Sequence, residues 1–169
     1  MANNFLELTH VLGESLDHEH KMAIEIHDWS WSIENRAPYR LQQSDATKQT
    51  SVAHITVEKW VDKATTTLMN YCANGKHIDE GIITCRKNAG ESQVEFLIIT
   101  LKHVKVEKVA WGGRGDPILG IPESVELSFL HFAIEYFAQH NATGELAGSN
   151  EFHFDLPEHK AQPAQPAKK

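Results

Sequence analysis

Eleven histidines are the residues that most invite chemistry in this chain. The tightest group is Asp17, His18, Glu19 and His20, in which the two histidines stand two positions apart. On an extended strand such a pair shares a face and could pinch a Zn²⁺ or Ni²⁺ ion. A structural zinc site takes four protein ligands and a catalytic one takes three plus an open position. No further ligand stands at a usual spacing, so a solvated loop is the favoured reading of Asp17 to His20. The alternative is a metal-binding or metal-dependent protein that uses this cluster and a distant third ligand. His10, His54, His103 and His131 each fall where an apolar alternation places a side chain, which reads as strand histidines with local partners.

Nucleophile and phosphate motifs are absent from the sequence. It holds no G-x-S-x-G elbow, no H-E-x-x-H helix and no P-loop. The glycines around Arg114 have no lysine or following helix to cradle a phosphate. The reading is therefore a protein that is not an enzyme, with no catalytic residue, no cofactor and no resident metal. Sixteen Lys and Arg against 23 Asp and Glu give a net charge of −7, a poor match to nucleic acid, where neutralising phosphates dominates affinity. No apolar stretch approaches the roughly 18 residues of a membrane span, so no membrane insertion is expected. The opening MANNFLELTH has no basic segment followed by an apolar run, and no cleavable signal peptide is expected. Cys72 and Cys85 read as buried free thiols, in keeping with a cytoplasmic protein.

Strands must position whatever function there is. Alternation predicts strands over 5–11, 23–33, 52–60, 78–87, 94–109 and 152–156, and one bulged strand over 125–136. In 23–33 the apolar phase jumps from Ile24 and Ile26 to Trp29, Trp31 and Ile33, which predicts a β-bulge near His27 and Asp28. A single helix opens at Asp62 as cap, carries Ala64, Leu68 and Cys72 on one stripe, and closes at Gly75. A tight turn is expected over 88–91 and a long glycine-free polar loop over 34–51. Long strands, bulges and one helix predict an antiparallel β-barrel or sandwich with that helix attached. The 169 residues are read as one domain over 1–156 and a disordered Pro/Ala/Lys-rich tail over 157–169.

Several segments, taken in order, resemble the haemolysin-coregulated protein (Hcp) family. They are GES at Gly13 to Ser15, HK at His20 and Lys21, WSW at Trp29 to Trp31, DK at Asp62 and Lys63, and Leu68–Met69. GKHI at Gly75 to Ile78 follows, then TCRKNAGESQVEFLIITLKHVKV at 84–106 and PESVELSFLHFAIEY at 122–136. The ordered set covers about 5–156. The resemblance implies a compact β-barrel with one flanking helix and an extended loop, assembling into hexameric rings. It further implies that the rings stack into the inner tube of the type VI secretion system, expelled with the spike and without a signal peptide. The implied partners are other copies of the chain, the spike protein, the sheath and baseplate, and small effectors held in the lumen.

Where the loop after the WSW strand is often glycine- and serine-rich in that family, this chain carries Arg36, Tyr39, Arg40, Asp45 and Lys48. These become the expected inter-ring residues. Ser30 and Ser32, on the face opposite the tryptophans, become the expected lumen wall. Phe96 to Ile99 is apolar on both faces, so Leu97, Ile99 and Leu68 are read either as ring-interface residues or as plain barrel core.

Overall fold

Period-two alternation builds the sheet, and its inward rows can be read rung by rung. The computed structural model describes residues 3–36, 49–89, 92–113, 115–139 and 146–165. Its strands are β1 (Asn4–Leu8), β2 (Ile24–Ser30), β3 (Ile33–Asn35), β4 (Thr50–Val52), β5 (Ile55–Trp60) and β6 (His77–Ala89). Then come β7 (Ser92–Trp111), β8 (Pro122–Ser128), β9 (His131–Gln139), β10 (Leu146–Asp155) and β11 (Lys160–Gln165), with helix α1 (Ala64–Asn74) between β5 and β6. Every pairing is antiparallel: β7–β6–β1–β2–β5–β8, and β8 returns to β7. Six strands thus close a barrel, which leaves no free edge around its wall.

β7 serves two structures at once. One edge pairs β6 along most of its length, while the other pairs β9 from Leu97 to Lys102 and β8 from Lys105 onward. Between these partners His103 takes a left-handed φ of 53°, an uncommon conformation for a non-glycine residue that turns the strand where its neighbour changes. Beyond β9 the sheet continues as a flap, β9–β10–β11.

The β5–β8 pair shows how the core is filled. Ile55 faces Leu127 and Val57 faces Val125, all fully buried, and the next inward rung is Lys59 against Glu123. That rung is ionic and completely enclosed. The Lys59 ammonium lies 2.8 Å from Trp60 O, 2.8 Å from Asp62 Oδ1, 3.3 Å from Thr65 Oγ1 and 3.3 Å from Glu123 Oε1. The Thr65 hydroxyl donates to Glu123 Oε2 at 2.6 Å. Two strands and the first turn of α1 are thereby tied at one point. Asp62 also accepts the Ala64 N–H at 2.9 Å, as the expected cap, and Gly75 ends the helix at φ 62°. Ala64 and Leu68 bury the helix stripe on the barrel, and Cys72 packs beside them.

The bulge expected near His27 and Asp28 is present: the β2–β5 register shifts between Ile26 and Asp28. Several other expectations are corrected. The 23–33 strand is not continuous. β2 stops at Ser30, and Ile33 opens a separate two-stranded ribbon, β3–β4. The cause is Trp31, whose indole turns onto Phe129 and Phe132 with edge-on centroid distances of 6.0 and 4.7 Å and donates its N–H to Ala53 O at 2.9 Å. The two tryptophans are half-buried at the margin of the core, and do not fill its centre. The 125–136 segment is two strands, because Phe129 and Leu130 carry the chain from one partner stretch of β7 to the next. Of the 157–169 stretch expected to be a disordered tail, 157–159 turn and 160–165 return as β11 against β10, while 166–169 lie outside the described residues.

Deleting one partner of the enclosed ionic rung strands the other in low dielectric. Lys59→Met is expected to cost about 3–5 kcal/mol in urea unfolding. The pair Lys59→Met, Glu123→Leu should cost clearly less than the single change, which measured unfolding midpoints of the three proteins would test.

Candidate functional site

No catalytic constellation gathers among the described residues, and the features that stand out lie on the surface. The outer barrel wall near the end of β2 sets Ser30 and Thr56 among the charged residues Asp28, Glu58, Glu126 and Lys108. Ser30 pairs across to Thr56 on β5 and is exposed. Ser32 is exposed too, with its carbonyl accepting the Ala53 N–H at 3.0 Å. Alternation sends Trp29 and Trp31 towards the core side, which leaves Ser30 and Ser32 on the outer face. Trp29 hydrogen-bonds Cys85, whose thiol burial pushes up above its ordinary range. A thiol held protonated is a poor nucleophile.

The β3–β4 ribbon stands off this wall. Ile33 is nearly half exposed, and Arg36 at its end donates from Nε and Nη2 to Glu34 Oε2 at 3.2 and 3.0 Å. Tyr39, Arg40, Asp45 and Lys48 lie outside the described residues, as do Gly90 and Glu91 of the expected 88–91 turn. Of the ring-interface candidates, Leu68 and Ile99 are sealed in the barrel core at 0 % and 1 % exposure. They have no surface to offer a neighbour, and the core alternative holds for them. Leu97 is half-buried and packs against the core edge.

Two surface features were not anticipated. The outer face of the flap forms a groove of about 500 Å³. Register explains the hollow: Thr100 on β7, Ala133 on β9 and His153 on β10 are cross-strand neighbours, and Ala133 leaves the middle of the row shallow. One flanking row holds Glu135 and Glu151; the other holds His131 against Asp155 at 2.9 Å. The second feature is the tip of the β7–β8 connection. Asp116 N–H donates to Gly120 O at 2.7 Å and Gly120 N–H returns to Asp116 O at 2.9 Å. Asp116 Oδ1 accepts the Ile118 and Leu119 N–H groups at 2.7 and 2.8 Å, and these bonds hold its carboxyl below the usual range. A tight prong results, with Ile118 90 % and Leu119 55 % exposed. The D-P-I-L-G spelling was the available signal: a turn whose only large side chains are aliphatic.

The Asp17 to His20 cluster is not a solvated loop throughout. The Phe5 ring is sandwiched between the His20 imidazole, stacked at 4.4 Å, and the Arg86 guanidinium at 4.6 Å. His20 is buried, with Nε2 3.0 Å from Glu95 Oε1 and Nδ1 3.5 Å from Glu7 Oε2. Arg86 Nη2 binds Asp17 Oδ2, and Nη1 lies 3.4 Å from Glu19 Oε2. Gly13 is required upstream because a Cβ there would sit 2.2 Å from Ala23 O. Glu19, His20 and Glu95 bring one ligand atom each within 4.8 Å of the others, whereas His18 is exposed and does not join them. Arg86 already supplies the positive charge here and opposes a second cation. The fit to a metal ion is poor, and the cluster works as a clasp between the 13–22 loop and β1, β6 and β7.

Three comparisons bear on this arrangement. The family model for "Type VI secretion system effector, Hcp" matches residues 5–136. Protein hcp1 of Pseudomonas aeruginosa is 36% identical over 135 residues, which are 80% of this chain and 83% of that one. The crystal structure of Hcp1 from Salmonella typhimurium superposes with a TM-score of 0.76 at 31% identity, over 96% of this chain and 100% of that one. A type six secretion system protein superposes with a TM-score of 0.85 at 22% identity, over 96% and 100% of the two chains, and shares the fold.

The clasp makes stability pH-dependent. The Arg86 hydrogen bonds, opposed by burial and helped by the Glu19 and His20 N–H groups, hold Asp17 at about 2, down from 3.8. A depressed carboxylate contributes stability that is present above its unfolded pKa and lost as pH falls through the folded one. Between about pH 4 and pH 2 the wild-type chain should therefore lose more stability than Asp17→Asn does. The variant should be the less stable of the two at pH 7. Thermal melts across that range would measure both differences.

Proposed function

Because the chain belongs to the Hcp family of the type VI secretion system, we propose that six copies close into a ring and that rings stack into the expelled inner tube. The observation that carries this reading is the family match across 5–136, which takes in the WSW wall, the clasp and the whole barrel. Three physical features support it. A closed barrel has no edges to fray, which suits a unit pushed through a sheath. The β3–β4 ribbon is only three residues per strand, too little to be stable without something packed on it. A neighbouring ring would supply that contact; Arg36 follows β3, and Tyr39, Arg40, Asp45 and Lys48 come after it in the sequence before β4. Ser30 and Ser32 are exposed small residues, and the outward row through Ser30 continues across Thr56 to Glu126 and Lys108.

In this reading Ser30 and Ser32 line the channel and touch small effector cargo, and the chain works as scaffold and carrier. It passes from the cytoplasm to the outside with the spike, through the sheath and baseplate. Phe96, Leu97 and Ile98 keep partial exposure in the Phe96 to Ile99 run, and Leu97 is the residue of it assigned to a subunit contact in this reading. No helix of the described residues is long and apolar enough to cross a membrane, in keeping with a protein exported within a tube.

Negative-stain microscopy and light scattering of the purified protein test the ring. Six-membered rings near six times 19.0 kDa are expected; monomers alone at high concentration would remove the reading. Ser30→Arg should leave rings intact and lower retention of co-expressed lumen cargo at least tenfold, measured by pull-down on the ring. Unchanged retention would take Ser30 off the wall.

A further inference from the structure

Where β7 changes partner, it turns two successive residues outward. Leu101 and Val104 are buried, while Lys102 and His103 between them are exposed. Plain alternation from Leu101 would turn His103 inward, and its left-handed φ of 53° is what brings it to the surface. The bend needs a left-handed residue, but glycine or asparagine would serve it at less strain. An imidazole held there is a reason to look for function. His131, which stands opposite Lys102 on β9, has its ring centre 5.7 Å from that of His103, with a tilt of 56°. We propose that His103 and His131 together hold a divalent transition-metal ion, at a site separate from the Asp17 to His20 clasp and independent of ring assembly.

The spacing suits a shared ion. A metal–nitrogen bond of about 2.0–2.1 Å puts each ring centre roughly 3 Å from the metal, so two rings on one ion stand roughly 5–6 Å apart. His131 is also oriented from behind. Its Nδ1 lies 2.9 Å from Asp155 Oδ2, which places the proton on Nδ1 and leaves the lone pair on Nε2. The carboxylate is itself fixed, because Asp155 Oδ1 accepts the Glu158 N–H at 2.8 Å in the turn after β10. A carboxylate behind an imidazole is the common outer support of a ligating histidine: it sets the tautomer and raises the basicity of the free nitrogen. His103 spends neither ring nitrogen on a hydrogen bond or an ion pair among the described residues.

Charge around the pair admits a cation, unlike the clasp with its Arg86. Lys102 is paired with Glu80, and Lys160 stands opposite Asp155 in the β10–β11 register. Glu158 adds a carboxylate to the groove wall that His131 lines. Two neutral imidazoles rank Cu²⁺ above Ni²⁺ and Zn²⁺. With two protein ligands, water takes the remaining positions, so the ion is exchangeable and not a structural staple.

Titration of the untagged protein with Cu²⁺ tests the site. One ion per chain is expected, with an electron paramagnetic resonance spectrum that carries couplings from two imidazole nitrogens. His103→Asn tolerates the left-handed backbone, and His131→Gln can still donate to Asp155, so both should stay folded by circular dichroism. Each should lower Cu²⁺ affinity at least about tenfold, the loss that even an outer-shell change brings. Asp155→Asn keeps an oxygen for the Glu158 N–H and removes the charge behind the ring. It should lower affinity about tenfold with the two-nitrogen spectrum retained, and Asp155→Glu should restore the affinity. His18→Ala, at an exposed histidine outside the pair, should change nothing. Cu²⁺ held as tightly by both histidine variants as by wild type, or weakened in only one of them, would be an adventitious ion only and overturns the inference. So does a wild-type chain that takes up no Cu²⁺ at micromolar concentration.

Discussion

The two edges of β7 are the constraint on which the other elements depend. Twenty residues long, this strand gives one edge to β6 and divides the other between β9 and β8. Closing the barrel and carrying the flap are therefore not separable properties. The left-handed residue His103 sits between the two partner stretches, and the aromatic group of Trp31, Phe129, Phe132, Phe152 and Phe154 fills the corner where barrel and flap diverge. Sheets that change partner need a local bend, and here the bend is packed from inside by rings that prefer edge-on contact.

Charge inside the fold is used to specify position. A lysine and a glutamate facing each other where two aliphatic rungs precede them add little net stability over an apolar pair. They do oppose register slip between β5 and β8, since a shift by two residues, which keeps both side chains facing inward, would leave both ions without partners in the core. The same logic governs the clasp, where His20 and Arg86 flank Phe5. A loop with few apolar side chains turned inward is held to the barrel by ions and one shared ring. Both networks lie where a segment outside the sheet ladder has to dock.

Much of this was legible in the residues. The phase jump after Ile26 located the bulge, because only a bulge reverses which face a strand buries. Asp62 and Gly75 marked both ends of the helix through cap chemistry. What escaped was set by long-range contacts. Nothing in W-S-W tells that Trp31 will leave the strand to meet Phe129, roughly a hundred residues away. The Pro/Ala/Lys composition of the last segment argued for disorder, yet an open β10 edge accepts residues 160–165 as a strand, with Pro163 at the rim where a missing N–H is tolerated. The Phe96 to Ile99 run was apolar on both faces, and pattern alone cannot tell a core side from a contact side. Burial assigned Ile99 to the core.

That assignment changes what a surface argument can start from. Apolar runs in strands mostly report the core, so an assembling protein hides its contact residues in its least regular segments. The surface features of this chain that alternation does not report are a turn bearing two solvated aliphatics and a hollow made by one alanine between larger neighbours. Neither has a periodic signature, and each becomes visible only when exposure and register are known. The serine wall is the opposite case, since alternation alone separates Ser30 from Trp29. A lumen needs only the absence of bulk, which a strand can specify locally; an interface needs a shape and its complement, which only the folded chain presents together.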